Sequence, residues 1–283
     1  MRWSLSDRWL IVPIIDVGGR FRSVRTENEL LKVFRNEVES LSPEERHIAE
    51  MILQDVLSGH ESHIHSEIYS SLYRVQPVSM ETFLTDPYFL GAVGKQLFPK
   101  LKESLLEMFS GSYKIAFYGG SLGAGKSTAG CLAVLRMIYE ISCLNDPQTA
   151  YGISKADTIS FPCISVTEDV AERNLLDKIR QYIQESPYFT QEFAPVRNTA
   201  GKGIMFPNRI LIPPGASTEA AVLGTNSMGC LIDEGNFFGR RKYNAQDNNS
   251  NKSNIEIIYE GMKRRIETRF LNRGKLPGLI FVA

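Results

Sequence analysis

The spacing of hydrophobic and polar positions changes several times along the chain, and each change marks an element. Thr26 and Glu29 form a capping box ahead of ENELLKVFRNEVES, and Leu30, Leu31, Phe34 and Val38 share one face of the helix this predicts. A second helix is predicted from Ser42, with Pro43 at its first position and Glu45 three residues after the cap. Ile48, Ile52 and Val56 continue its apolar stripe, and Gly59 ends it. Residues 1–75 therefore read as a helical appendage. The early apolar run LIVPII is broken by Pro13 and is too short to span a bilayer, and no targeting signal is evident.

The character changes at Pro77. VSMETFLTDPYFLG turns at Asp86-Pro87 and closes at Gly91, and LFPKLKESLLEMF predicts a helix with Leu101, Leu105, Leu106 and Phe109 on its apolar face. After the Ser110-Gly111-Ser112 break, YKIAFYG reads as a buried strand. GGSLGAGKST (residues 119–128) follows directly, and TAGCLAVLRMIYEIS continues as an apolar helix. Later strands are FPCISVT (161–167), GIMF and RILIPPG (203–215), MGCLIDE (228–234) and GLIFVA (278–283). An amphipathic helix, DVAERNLLDKIRQYIQES, separates the first two. Strands alternating with helices predict an α/β domain over 76–283, with a mostly parallel sheet covered by helices on both faces. The short interval at Pro207-Asn208 predicts an antiparallel hairpin inserted into that scheme.

Composition adds little. The 283 residues are 43% hydrophobic and 23% charged, as expected of one large globular domain with an appendage. Cys131, Cys143, Cys163 and Cys230 form no CxxC pair and read as reduced core residues. The formal net charge is zero, which neither supports nor excludes a nucleic-acid partner. HESHIHSE (60–67) has no established zinc spacing, so a solvated helix or loop is the simpler account of it. NAQDNNSNKSN (244–254) is poor in hydrophobics and reads as a loop.

The chemistry concentrates in two places. Gly120-Ser121-Leu122-Gly123-Ala124-Gly125-Lys126-Ser127 fits GxxxxGK[ST], and a strand before it and a helix after it make it a phosphate-binding P-loop. The glycines allow a tight turn whose N–H groups point inward, and the following helix offers its positive end to the same anion. Lys126 is placed for the β- and γ-phosphates, Ser127 for Mg²⁺, and Thr128 closes the binding stretch. Cys230-Leu231-Ile232-Asp233-Glu234 then ends an apolar strand in two acids. Asp233 is predicted to hold Mg²⁺ through water, and Glu234 to orient and deprotonate the attacking water. A glutamate directly after the aspartate is unusual in simple kinases and signalling GTPases. FPCISVT and its helix lie between the loop and LIDE, the order expected of ATPases with an added central strand. No NKxD-type guanine-reading motif follows, which favours ATP.

In order and wording these segments resemble the ATPase half of the large subunit of tailed-bacteriophage DNA-packaging terminases. SMETFLTDPYFLG, LFPKLKESLLEMF and YGGSLGAGKST are similar to that family's opening segment, and ISVTEDVAERNLLDKIRQYIQESPYF to its second strand and helix. ILIPPGASTEAAVLGTNSMGCLIDEGNFF resembles its hairpin, glycine turn and Walker B strand, and EGMKRRIETRFLNRGKLPGLIFVA its approach to the coupling motif. The match covers residues 76–283. The resemblance implies an added-strand P-loop ATPase that uses ATP and Mg²⁺ to pump double-stranded DNA through the portal protein of an empty capsid. It further implies a homo-oligomeric ring, typically a pentamer, a small terminase subunit as partner, a place in the host cytoplasm at the procapsid, absence from the mature virion, and no membrane.

Three departures qualify it. Family members usually continue into an RNase H-like nuclease domain, and this chain stops at Ala283, so no nuclease activity is expected of it. It also stops where the coupling motif should begin, which points to a longer natural protein. Many relatives carry an arginine in the loop, where Ser121, Leu122 and Ala124 stand here. A positive group is needed against the developing γ-phosphate charge. Arg264, Arg265 and Arg269 in GMKRRIETRF are the candidate fingers, in cis or from a neighbouring subunit, with Arg240 and Arg241 behind them. With Lys242 and Lys263 they are equally suited to DNA phosphates, and a solvated basic face is the plainer account of any one of them. Arg173 and Arg180 read as surface residues, and Gln96 resembles the adenine-side glutamine of related ATPases. The alternatives are another nucleic-acid translocase or helicase-like ATPase, and a non-hydrolysing nucleotide-binding assembly module.

Overall fold

The computed structural model describes residues 12–15, 21–24, 46, 72–110, 113–121, 123–196, 203–218, 226–238, 253–270 and 278–283, with backbone alone for 12–15 and 21–24. The chain divides into two compact units, the first within 1–72 and the second beginning at Tyr73.

In the first unit, β1 (Val12–Ile15) and β2 (Phe21–Val24) pair as an antiparallel hairpin, Val12 opposite Val24 and Ile15 opposite Phe21. This corrects the wholly helical expectation for 1–75. Pro13 disfavours a helix, Val12, Ile14 and Ile15 are β-branched, and Gly18-Gly19 supplies turn residues between two short runs. The helices expected over 26–40 and 42–59 lie outside the described residues, apart from Arg46, which is helical. The histidine cluster at 60–67 lies outside them too.

The second unit is built on a twisted sheet. Its lead-in holds α1 (Met80–Thr85), α2 (Gly91–Gly94) and α3 (Pro99–Met108). Ser79 caps α1 by accepting from Thr82 N, and Pro99 occupies the first position of α3. Then come β3 (Ile115–Phe117), the glycine loop, α4 (Lys126–Ser142) and α5 (Pro147–Ala150). Two short strands follow, β4 (Ile159–Ser160) and β5 (Cys163–Ile164). Three consecutive helical stretches, Glu168–Ala171, a π turn over Glu172–Leu176, and Asp177–Gln184, form one helix, α6. The remaining elements are β6 (Ile204–Phe206), β7 (Ile210–Ile212), β8 (Pro214–Gly215), β9 (Asn226–Ser227), β10 (Cys230–Ile232), α7 (Asn254–Phe270) and β11 (Ile280–Val282).

Five parallel strands run in the order β3-β11-β10-β5-β8, and a second set in the order β6-β7-β4-β9. The two sets are continuous. Phe161 N donates to Leu211 O, Cys163 N to Pro213 O, Met228 N to Ser160 O and Leu231 N to Pro162 O, so the ladder runs across the breaks at Pro162, Pro213 and Gly229. β6 and β7 form the expected antiparallel hairpin, with Asn208 and Arg209 at positive φ (56° and 53°) in its turn.

Strand order corrects one sequence inference. The strand between the phosphate-loop strand β3 and the acidic strand β10 is β11, the GLIFVA segment. FPCISVT (β5) lies on the far side of β10. The added central strand is present, but it is the last strand in the chain. Intervening in sequence is not intervening in space, because a parallel crossover can skip a place that a later strand fills.

Alternation along the strands assigns the two faces. Cys230, Ile232, Ile280, Val282 and Ile164 pack against Ile258, Met262 and Ile266 of α7. Leu231 and Phe281 face the other way, onto α4. There a Cβ on Gly130 would come within 2.4 Å of Leu231 Cδ1 and 3.2 Å of Phe281 Cδ1. Glycine costs about 1 kcal/mol in a helix interior, and this contact is what requires it. Beside α4 on the same face lies α6, whose Leu175 carbonyl is 3.7 Å from Cys131 Sγ. All four cysteines are free and buried, and burial pushes Cys131 and Cys230 up to about 12.

Candidate functional site

The carboxyl edge of the sheet collects the chemistry. Tyr118 N donates to Val282 O at 2.8 Å, so β3 reaches this edge in register with β11 and delivers the loop there. Gly123 and Gly125 adopt positive φ (82° and 79°), which lets the loop fold back tightly before α4 starts. A Cβ on Gly125 would also come within 3.1 Å of Leu101 Cδ2, so α3 packs directly beneath the turn. Lys126 Nζ lies over its own loop, 3.0 Å from Gly120 O and 3.1 Å from Ser121 O. Both partners are neutral carbonyls that an anion would outcompete. Leu122 lies outside the described residues; Ser121 and Gly123 are exposed.

Across the edge, β10 ends in the acid pair. Asp233 is 4% exposed, and its Oδ2 accepts from Ser127 Oγ at 2.8 Å. The two groups predicted to serve Mg²⁺ are thus in contact, although 106 positions separate them. The next residue, Glu234, is exposed and adopts the left-handed conformation (φ 56°, ψ 35°). That conformation costs roughly 1–3 kcal/mol in a non-glycine residue. It turns the chain sharply after Asp233, so that Gly235 N donates to Ala283 O at 3.2 Å. The Glu234 carboxylate has no polar partner among the described residues.

Ser165 lies beside Asp233. The β5–β10 register sets Ile164 against Ile232, and Asp233 N donates to Ile164 O at 2.8 Å, so Ser165 is the neighbour of Asp233 on the same face. It is 1% exposed, and its Oγ has no hydrogen-bond partner among the described residues. An orphaned buried hydroxyl beside a buried carboxylate is what a metal ion and its waters would satisfy. Ser127 and Asp233 are hard oxygen donors, and Mg²⁺ takes few protein ligands and keeps several waters. The residues therefore fit Mg²⁺, held by Ser127 and Asp233. Among the described residues no group of three or more His, Cys, Asp or Glu is placed to hold a metal by itself.

A family model agrees with this geometry. Residues 53–282 match the family model described as "Uncharacterized protein MJ0330, N-terminal P-loop domain". The chain belongs to this P-loop family. A search of solved structures matches the crystal structure of the HK97 bacteriophage large terminase, with TM-score 0.44 and 12% identity over 72% of this chain. The chain spans 37% of that terminase's length. No curated protein matches.

The P-loop domain does not bring every predicted residue to this edge. α7 begins beside the site, where Ile255 Cδ1 would lie 2.2 Å from a Cβ on Gly235. It then runs away from it, and Phe270 packs on Tyr151 at the opposite end. At 1.5 Å per residue, Arg264 lies about 14 Å and Arg269 about 21 Å along the axis from Ile255. Arg264 is 3.9 Å from Glu260, and Lys263 is 4.0 Å from Glu267, as solvated helix pairs. Arg265 is half-buried and Arg269 exposed. This placement brings none of the three to the loop of their own chain. Arg240, Arg241 and Lys242 lie outside the described residues. Arg173 is exposed, but Arg180 is not a free surface residue, since it is held by Glu172 at 2.6 Å and Asp177 at 2.7 Å. Gln96 is exposed, its amide 3.4 Å from Ala92 O.

Sequence reasoning missed two residues. Ser165 is an ordinary strand serine, and only pairing with β10 gives it a role. Lys178 donates to Thr128 Oγ1 at 3.5 Å from a helix read only as amphipathic. The one available signal was the shared stripe of Leu175, Lys178 and Tyr182, at i, i+3 and i+7.

Proposed function

We propose that this domain hydrolyses ATP and couples hydrolysis to the movement of double-stranded DNA, as the motor of a viral packaging terminase. The observation that carries the hydrolase reading is Glu234, an exposed carboxylate without a polar partner among the described residues, directly after the Asp233–Ser127 contact. A domain that only bound nucleotide would have no use for such a base.

Lys126 would exchange the carbonyls of Gly120 and Ser121 for the β- and γ-phosphates, beside the N–H groups of the loop. Ser127 and Asp233 would hold Mg²⁺, which when bound neutralises phosphate charge. Glu234 would orient a water and accept its proton as the water oxygen bonds to the γ-phosphorus. The bond from that phosphorus to the β-phosphate bridging oxygen breaks, and ADP leaves with those electrons.

The DNA-packaging part rests on the order of the segments from SMETFLTDPYFLG to GLIFVA, and on the central added strand of a motor-type sheet. On this reading the domain works in a homo-oligomeric ring, with the portal protein and small subunit as partners. Arg264, Arg265 or Arg269 would then serve a neighbouring subunit's site or DNA phosphates.

Glu234→Gln tests the core of the proposal. The variant should bind ATP as tightly as wild type and lose turnover by at least about 100-fold. Unchanged turnover removes Glu234 from the chemistry. Turnover by the wild type that rises on adding double-stranded DNA supports the translocase part, and indifference to DNA counts against it.

A further inference from the structure

The first turn of a helix carries partial positive charge and unpaired N–H groups. A cation placed there is repelled unless an anion sits nearby. Lys126 is one such cation at the head of α4. Lys178 is a second. It reaches across from α6, half-buried, and its Nζ is 3.5 Å from Oγ1 of Thr128, the third residue of α4. Its partner is neutral, and it makes no ion pair among the described residues. Two carboxylates of its own helix, Glu172 and Asp177, bind Arg180 instead. Tyr182, one turn further on, lies near the same Thr128 side chain. α6 therefore sets a cation and a phenol beside Thr128.

The surroundings call for an anion. Side chains on a helix lean toward its N-terminus, and α6 starts at the sheet's carboxyl edge, so Lys178 leans toward the site. Asp233 already accepts from Ser127, and the buried Ser165 hydroxyl beside it has no partner. The π turn contributes to the placement. One added residue rotates everything after it by about 100° relative to a regular helix. Lys178 and Tyr182 lie just after that turn.

We propose that Lys178 is a second lysine of the phosphate site, a positioning residue that acts through Thr128 to hold positive charge against the nucleotide's polyphosphate. The inference deepens the ATPase reading and rests on it. It supplies in cis a charge that the loop, with Ser121, Leu122 and Ala124, lacks. The candidate arginines on α7 run away from this edge.

The test compares displacement of a fluorescent ATP analogue by ATP and by adenosine, with Mg²⁺ present. The proteins are wild type, Lys178→Met, Lys178→Gln and Lys178→Arg, with Lys126→Ala as reference. Lys178→Met and Lys178→Gln should bind ATP about tenfold more weakly, adenosine unchanged, as expected for one partly screened charge near a polyphosphate. Lys178→Arg should restore ATP affinity to within about threefold, since it keeps the charge. ATP affinity equal to wild type in both neutral variants overturns the inference. So does a loss shared equally by ATP and adenosine, which marks a packing role; thermal unfolding of each variant reports the fold. A wild type that binds no ATP overturns the ATPase reading and this inference with it. A wild type that binds, with Lys178 neutral and harmless, overturns this inference alone.

Discussion

The two ends of α4 obey opposite rules. Its last turns are enclosed by aromatic side chains. Tyr139 stacks on Phe83 at 5.0 Å and meets Phe89 and Tyr188 edge-on at 5.1 Å each. Its hydroxyl accepts from Val78 N at 2.9 Å. The buried cation there, Arg136, is paired with Glu140 at 2.9 Å and lies over the rings of Phe83 and Tyr139. At the first turn, Lys126 and Lys178 have neutral partners, Ser165 has none, and Glu234 holds a strained backbone. One end is packed to stabilise the fold. The other keeps charge and hydrogen-bonding capacity for something that arrives.

Substitutions at the two ends should therefore separate stability from binding. The largest effect is expected at the aromatic end. Tyr139→Ala should cost about 3–5 kcal/mol and lower the unfolding midpoint by roughly 10 °C. Thermal unfolding without nucleotide measures it; a drop of only a degree or two would mean that the aromatic cluster does not hold the lead-in to the domain. Lys126→Ala should do the reverse, weakening ATP binding on the order of 100-fold while leaving the nucleotide-free midpoint nearly unchanged. A large fall in that midpoint would show that the loop lysine is structural. Ser165→Ala should be milder. It should raise the Mg²⁺ concentration needed for half-maximal ATP binding by about tenfold, with metal-free binding unaltered. An unaltered Mg²⁺ titration would make the orphaned hydroxyl a packing detail.

The smallest effect lies just past the aromatic end. Asp146 caps α5, and the Lys155 ammonium holds its carboxyl at about 2, helped by the Thr149 N–H. Its folded value lies below its unfolded value of about 4, so its contribution is full above that pH and is lost as pH falls toward 2. Wild type should exceed Asp146→Asn in urea midpoint at pH 6 by a small margin that closes between pH 4 and 2. A margin that stays constant over that range would remove the carboxylate's charge from the explanation.

Local sequence signals carried the P-loop, because its residues are consecutive and each has a fixed task. The Asp233–Glu234 pair was legible for the same reason, at the end of an apolar strand. The β6–β7 hairpin followed from a short interval with turn residues. What sequence could not supply was lateral order. Nothing local in FPCISVT or GLIFVA says which one adjoins β3, since both are short apolar strands and parallel pairing is a long-range choice. The place of the arginines was hidden for a related reason. GMKRRIETRF shows a basic cluster, but only the course of α7 across the sheet shows that it leads away from the loop. Lys178 was invisible because its meaning depends on which helix lies beside α4. In the first unit the β1–β2 hairpin was overlooked, although Pro13 and Gly18-Gly19 were signals against a helix.

The account turns on the Ser127–Asp233 contact as the place where metal and nucleotide meet. Calorimetric titration of ATP into wild type and Asp233→Asn, with and without Mg²⁺, addresses it directly. Mg²⁺ should tighten ATP binding in wild type by about tenfold or more, and that gain should vanish in Asp233→Asn while metal-free binding persists. An equal Mg²⁺ gain in both proteins would contradict the account.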